Sequence, residues 1–342
     1  MRILVTGSNG YIGTQLCQIL DAAGHSVVGL DTGFYNSAWL YNGISNFPPV
    51  IPKDIRKVSE KDLKGFDAVI HLAELSNDPL GQINSKVTFE INHKGSVNLA
   101  KKAKAAGVGK FIYMSSCSAY GIAKNGVATE EAEVHPQTYY AKCKILSEKD
   151  ISKLASNNFS PVFLRSATVF GTSPRMRFDI VLNNLAGLAW TEKEIVMHSD
   201  GTPWRPLIHI LDVCNAIVCV LKSPSKLVHN QILNVGDDNQ NYQVKDIAQI
   251  ISGVFPNSKI AFGNLEPDNR SYKVSFKKIN KIFPDFKCQR DANNGTRELL
   301  ELFKKINLDK VTFYSKNFTR LKQIEYLIKT KQIDDKFYWK EK

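Results

Sequence analysis

The sequence predicts a doubly wound α/β fold built on a parallel sheet, and three observations carry that prediction. Apolar runs of strand length alternate with helical stretches through roughly the first 170 residues. The first run, Arg-Ile-Leu-Val-Thr from Arg2, opens directly into a glycine-rich turn and then a helix. The second, Ser26-Val-Val-Gly-Leu30, ends on the carboxylate of Asp31, about twenty residues beyond that turn.

In Thr6-Gly-Ser-Asn-Gly-Tyr-Ile-Gly13, Gly7 makes the tight turn and Gly10 lets backbone approach a phosphate without an intervening side chain. Gly13 lets the following helix press against the strand. That helix, starting near Tyr11, aims unpaired N–H groups and the positive end of its dipole at the loop. Asn9, Gly10, Tyr11, Ile12 and Gly13 are therefore expected around a dinucleotide pyrophosphate. Asp31 is placed to accept hydrogen bonds from both adenosine ribose hydroxyls. No Arg follows it before Arg56, so a 2′-phosphate would meet an uncompensated carboxylate, and NAD is expected rather than NADP.

Further strands are expected at 68–72, 110–115 and 162–165, with crossover helices at 87–106 and 139–156. After Gly171 the alternation breaks down. Residues 172–205 are rich in Pro, Arg and Asn, while 206–221 and 231–235 return to apolar runs. The expected division is 1–171 plus about 206–235 as the nucleotide-binding unit. About 172–205 plus 236–342 form a smaller unit over the strand ends, with substrate in the cleft.

At 342 residues the chain suits two such units. No apolar stretch approaches the roughly 20 residues of a membrane span, and the first residues run straight into a strand without a signal pattern, so no membrane association and a cytoplasmic location are expected. The six cysteines are scattered, with neither a CxxC pair nor zinc-ligand spacing, which points to free thiols and no metal. The formal net charge of +12 is spread along the chain. Its densest stretch, about 316–342, is interleaved with acids at helical spacing and reads as a solvated face, so no nucleic-acid partner is expected. A modest positive field suits an anionic, nucleotide-linked substrate.

The chemistry is expected in Thr138-Tyr-Tyr-Ala-Lys-Cys-Lys144, where Tyr140 and Lys144, four apart, share one helix face. An ammonium beside a phenol favours the phenolate, and a positive nicotinamide ring pushes the same way, so Tyr140 reads as a general base near neutral pH. Tyr139 and Lys142 face elsewhere. Upstream, Met114-Ser-Ser-Cys-Ser-Ala-Tyr-Gly121 follows a strand at the carboxyl end of the sheet. Ser116 there either shares the substrate oxygen that Tyr140 deprotonates or stabilises its own turn.

Together these features closely resemble the extended short-chain dehydrogenase/reductases of the nucleotide-sugar epimerase/dehydratase family. The resemblance covers nearly the whole chain. It runs through Thr6–Gly13 and Asp31, Asp54-Ile55, His71-Leu-Ala73, Asn92 and Asn98 to the Ser116, Tyr140 and Lys144 triad. It continues through Leu164-Arg165, Val169-Phe-Gly171, Arg205 to His209, Asp212 and Asn234-Val-Gly236.

The resemblance implies a Rossmann-type sheet with a smaller, interleaved C-terminal α/β substrate domain, and NAD as cofactor. Tyr140 would take a proton from a sugar hydroxyl, usually at carbon 4, while the carbon's hydride passes to NAD. Ser116 would steady the oxyanion, and Lys144 would hold the nicotinamide ribose. Asp31, Asp54 and Ile55 would meet the adenosine half, with Leu72, Ala73 and Asn92 also at the cofactor. Arg205 and Arg270 either clamp the diphosphate of a nucleotide-diphosphate sugar or form a domain-interface ion pair. Arg175 and Arg177 meet phosphate or a sugar carboxylate, or are structural. Thr168 stands where the family commonly has Asn.

Dehydratases and decarboxylases of the family carry an acid two positions after the catalytic Thr or Ser. Here Cys117 and Ser118 follow Ser116, which argues against a standard 4,6-dehydratase. In fucose-synthase relatives the acidic Cys comes one position later than Cys117. The expected activity is therefore a 4-epimerase, with a C4 dehydrogenase or 4-keto reductase as the alternative and a catalytically silent NAD-binding scaffold as a third reading. Relatives pair through the helices equivalent to 87–106 and 139–156, so a homodimer is expected.

Overall fold

The computed structural model describes residues 1–44, 46–76, 78–262 and 270–340. Its strands in chain order are β1 (Arg2–Thr6), β2 (Ser26–Asp31), β3 (Val50–Pro52), β4 (Ala68–His71), β5 (Lys110–Ser116), β6 (Ile122–Ala128) and β7 (Ser160–Ser166). They continue as β8 (Thr168–Phe170), β9 (Glu194–Met197), β10 (Trp204–His209), β11 (Ile232–Val235), β12 (Asn241–Gln243), β13 (Lys259–Phe262) and β14 (Ser271–Val274).

Seven strands form a parallel sheet in the order β11-β7-β5-β4-β1-β2-β3. Every residue of β4 and β7 is buried, as befits central strands covered on both faces. One face packs on helices Tyr11–Ala22 and Ile210–Lys222 through Leu16, Leu20, Val213 and Ile217. The other packs on helix Ser96–Ala105 through Leu99 and Ala103 and on Ile151 of helix Tyr139–Ser152. The chain reverses its direction across the sheet between β1 and β4, which opens a crevice at their carboxyl ends.

The crossover expected as one helix over 87–106 has three parts: a turn at Ser85–Thr88, a π-helical segment at Phe89–Gly95 and an α-helix at Ser96–Ala105. The π segment carries Asn92, whose fully buried amide clamps the backbone of Leu75 from both sides.

Beyond the main sheet, β8 and β12 flank β10 in a three-stranded sheet, and β9 with β13 and β6 with β14 form two-stranded pieces. Residues 206–209, expected with the large sheet, thus lie in β10 of the small one, whereas β11 takes the edge of the large sheet. A third apolar cluster, around Phe178, Leu185, Ile247 and Phe303, supports the small sheet and its helices. Residues 320–340 return to the first unit: Ile324, Leu327, Ile333 and Phe337 are buried with Leu4, Leu30 and Val69. Their apolar spacing had a partner face that the sequence alone does not reveal.

Candidate active site

A cavity of ≈ 540 Å³ follows the crevice. It runs from the glycine loop and Asp31, past Ser116, Tyr140 and Lys144, to Arg205, Arg270 and Tyr272 of the smaller layer.

At its first end Gly7 and Gly13 do what their spacing requires. Gly7 has φ +71°, and a Cβ there would sit 2.8 Å from the backbone nitrogen of Ala73. A Cβ on Gly13 would come 2.2 Å from the carbonyl oxygen of Gly7. Helix Tyr11–Ala22 starts from Gly10 without a side-chain cap, so its first N–H groups face the loop. This cradle fits the pyrophosphate of a dinucleotide. The carboxylate of Asp31 accepts from the backbone N–H groups of Asn9 (3.0 Å) and Gly33 (2.8 Å). Burial raises its pKa, and those bonds draw it back down. Asn9 does not line the cavity itself; its amide donates to Asn36. The phenol of Tyr11 points away to the carbonyl of Gly171, 2.6 Å distant. Ile12, Ile55, Leu72 and Ala73 line the wall, and Asp54, also on the wall, is held by the guanidinium of Arg56 at 2.6 Å.

In mid-cavity Thr138 caps helix Tyr139–Ser152 by accepting from Ala141 N–H, which fixes the faces that Tyr140 and Lys144 present. The hydroxyl of Ser116 lies close enough to Tyr140 to lower its pKa, and it accepts from the backbone N–H of Ser118 at 3.1 Å. Of the two readings of Ser116, the structure contains the turn contact. The ammonium of Lys144 lies 5.4 Å from the centre of the Tyr140 ring. Burial raises the pKa of Tyr140, while Lys144 and Ser116 pull it down. The expected depression is thus present as a force but outweighed by desolvation in the protein alone.

Sequence reasoning missed Glu74. Its carboxylate lines the cavity, sits 2.6 Å from the Lys144 ammonium and accepts from the Tyr113 hydroxyl at 2.7 Å. Burial disfavours the ammonium, but Glu74 and Tyr140 more than offset it, so the pKa of Lys144 is raised. The available signal was an acid directly after His71-Leu-Ala73 at the end of β4. His71 itself is buried between Thr6 (2.7 Å) and Ser96 (2.8 Å), and burial lowers its pKa to about 3, which keeps it neutral.

The loop after β5 is set from behind. Arg165 pairs with Glu148 at 2.7 Å in the core, and Arg165 and Asn234 both hold the Tyr120 hydroxyl. Cys117 faces this core: its thiol donates to the carbonyl of Arg165 and is 1% exposed, so it does not reach the cavity. Ser118 does reach it, with a buried hydroxyl that lacks a partner among the described residues. Thr168 also lines the wall.

The arginines separate. Arg205 and Arg270 meet in the far wall, where Arg205 donates to the carbonyl of Arg270, and Arg270 pairs with Asp78. Arg177 lines the cavity, paired with Asp179 at 2.8 Å and donating to Ser76. Arg175 does not line it; it stacks 3.9 Å over Trp39 and holds the carbonyls of Tyr35 and Asn36, which makes it a structural residue. Asn92 likewise acts only behind the wall, through Leu75. The absence of a guanidinium near Asp31 in the sequence does not persist in space: Arg320 shares the cavity wall with Asp31, and its charge acts on that carboxylate.

Comparison with known proteins agrees with this geometry. Residues 3–236 match the model of the "NAD dependent epimerase/dehydratase family". A UDP-N-acetyl-alpha-D-glucosaminuronate decarboxylase of Bacillus cytotoxicus is 24% identical over 90% of this chain and 99% of its own length. A UDP-glucose 4-epimerase of Bacillus subtilis is 27% identical over 69% of this chain and 77% of its own. Among solved structures, TunA, an NAD-dependent NDP-hexosamine 5,6-dehydratase involved in tunicamycin biosynthesis, superposes with a TM-score of 0.79 at 23% identity, covering 89% of this chain and 98% of TunA. The glycine cradle, the Ser–Tyr–Lys cluster and the matched family model place this chain among the NAD-dependent enzymes of the nucleotide-sugar epimerase/dehydratase family.

Proposed function

We propose that the enzyme is a nucleotide-sugar 4-epimerase that works by transient oxidation at sugar carbon 4. The observation that carries this reading is the convergence of Ser116, Tyr140 and Lys144 on one cavity between the glycine loop and the arginines of the far wall. NAD, when bound, supplies the hydride acceptor and returns the hydride. Gly7 to Gly13 would hold its pyrophosphate, Asp31 its adenosine ribose and Lys144 its nicotinamide ribose.

Tyr140 removes the proton from the 4-hydroxyl, and Ser116, on the same cavity wall, steadies the oxygen as it becomes a carbonyl. Tyr140 returns the proton when the sugar is reduced on its other face. Arg205 and Arg270 anchor the diphosphate, which requires Arg270 to exchange Asp78 for phosphate oxygens. Ser118 takes a sugar hydroxyl.

Epimerisation is favoured over dehydration because, in the sequence, Cys117 and Ser118 rather than a carboxylate follow Ser116. Among the described residues, the wall carboxylates Glu74, Asp78 and Asp179 are engaged: Glu74 with Lys144, Asp78 with Arg270 and Thr138, Asp179 with Arg177. We also place the enzyme in the cytoplasm, where its six free thiols suit a reducing compartment, and expect it to be a homodimer. No helix among the described residues is long and apolar enough to cross a membrane.

The test is incubation of the purified protein, without added cofactor, with UDP-, GDP-, CDP- and dTDP-sugars while NADH absorbance and product mass are followed. An isomeric product without NADH supports the proposal. Loss of two hydrogens with accumulating NADH identifies a net dehydrogenase, and loss of water overturns the reasoning from Cys117 and Ser118.

A further inference from the structure

The end of the cavity nearest Asp31 is closed by a part of the chain that the family model, matched over residues 3–236, does not include. Thr319, Arg320 and Leu321 line it together with Asp31, Phe34 and Tyr35. Arg320 is 3% exposed, with its guanidinium carbon 3.9 Å over the ring of Tyr35 and its backbone N–H held by Asp179 at 3.1 Å. Its Nη1 is buried without a hydrogen-bond partner among the described residues. A buried guanidinium donor is costly to leave unmatched, and Arg320 shares the cavity wall with Asp31, where a ligand oxygen drawing the guanidinium outward would match it. Burial and the neighbouring Arg177 both work against its charge, a deficit that a phosphate or ribose oxygen offsets.

The following residues grip both flanks of the same end. The indole N–H of Trp339 donates to the carbonyl of Thr32 at 2.6 Å, and the amide of Gln323 donates to that of Phe34 at 2.9 Å. Phe34 and Trp339 stack with ring centres 5.6 Å apart. On the opposite flank Arg56, which also holds Asp54, donates to the carbonyl of Lys336 at 2.7 Å and lies 3.8 Å over the ring of Tyr338. Thr32 directly follows Asp31 at the end of β2, and Arg56 adjoins the wall residue Ile55. The segment 319–340 therefore bridges the two strand ends between which an adenosine must enter.

We propose that the segment 319–340 is part of the cofactor site: Arg320 binds the adenosine-diphosphate half of NAD, and the remainder straps that half in place so that the cofactor stays bound between turnovers. The proposal rests on the cofactor assignment, not on the 4-epimerase reading. It does suit a reaction that regenerates NAD in place.

The test is binding, independent of turnover. Full-length wild type, Arg320→Gln, Arg320→Lys and Trp339→Ala are stripped of cofactor. Each is then titrated with NAD, ADP-ribose, ADP and adenosine, its NAD dissociation rate is measured, and its thermal midpoint is read without ligand. Arg320→Gln is expected to weaken ADP-ribose binding on the order of ten- to a hundredfold, with Arg320→Lys recovering part of it and the ligand-free midpoint unchanged. A loss seen with ADP but not with adenosine assigns the contact to phosphate; a loss seen with both assigns it to the nucleoside. Trp339 is 44% exposed, so its replacement leaves the core intact and is expected to speed NAD release about tenfold or more. Wild-type affinity for ADP-ribose in Arg320→Gln, or an unchanged release rate in Trp339→Ala, overturns the proposal whether or not the enzyme proves to be an epimerase.

Discussion

Tyr140 shows how much a single side chain owes to its surroundings. Its spacing to Lys144 is readable in the sequence, but the balance acting on its proton is not, because burial raises the pKa that Lys144 lowers. Replacement of Tyr140 by Phe removes the proton acceptor while keeping the ring, so turnover should fall by about 10²- to 10⁴-fold with NAD affinity retained. Near-wild-type turnover in that variant refutes the assignment. Glu74 adds a second handle. Its negative charge pushes the Tyr140 pKa up and also draws the Lys144 ammonium toward itself. In Glu74→Gln both effects cease, so the tyrosine should ionise at lower pH. The acid limb of the kcat/KM profile, where activity rises as Tyr140 loses its proton, should move to lower pH. A limb that stays in place or moves upward shows that Glu74 does not tune the base.

At the scale of elements, the β1 turn and its helix were legible because their function is steric. Gly7 and Gly13 are each required by a close approach that a Cβ obstructs, and that requirement leaves a fixed spacing in the sequence. Gly13→Ala drives a methyl group against the Gly7 carbonyl, so it should both lower the thermal midpoint by several degrees and abolish NAD binding detectable by calorimetry. Wild-type NAD affinity in that variant means the loop is not the pyrophosphate cradle. The crossover over 85–105 was less legible. Helical periodicity predicted an unbroken helix, whereas the π segment Phe89–Gly95 is set by tertiary demands, with Asn92 clamping Leu75 beneath the cavity wall. Asn92 thus shapes the site without lining it. The orientations of Cys117 and Arg175 were not legible for a related reason: residue type and position in a motif do not say which way a side chain turns, and both turn into the protein.

On the scale of the whole molecule, the helical path 85–105 and helix Tyr139–Ser152 pack side by side on one face of the large sheet. We expect these helices to form a homodimer interface, as the resemblance implies, and Tyr139 on the second is 46% exposed. Sedimentation at micromolar concentration should give twice the mass of the 342-residue chain, and a monomer across that range refutes the pairing. By itself the sequence determined the parallel sheet, the glycine cradle, Asp31 and the Ser116, Tyr140 and Lys144 cluster. Each depends on local spacing: strand period, helix period or the room a glycine leaves. Only the tertiary structure decided that Glu74 faces Lys144, that Arg270 meets Asp78 and that Arg320 reaches the Asp31 end of the cavity. Those pairings join residues separated by 70, 192 and 289 positions, and no local period encodes which apolar surface a distant segment will cover.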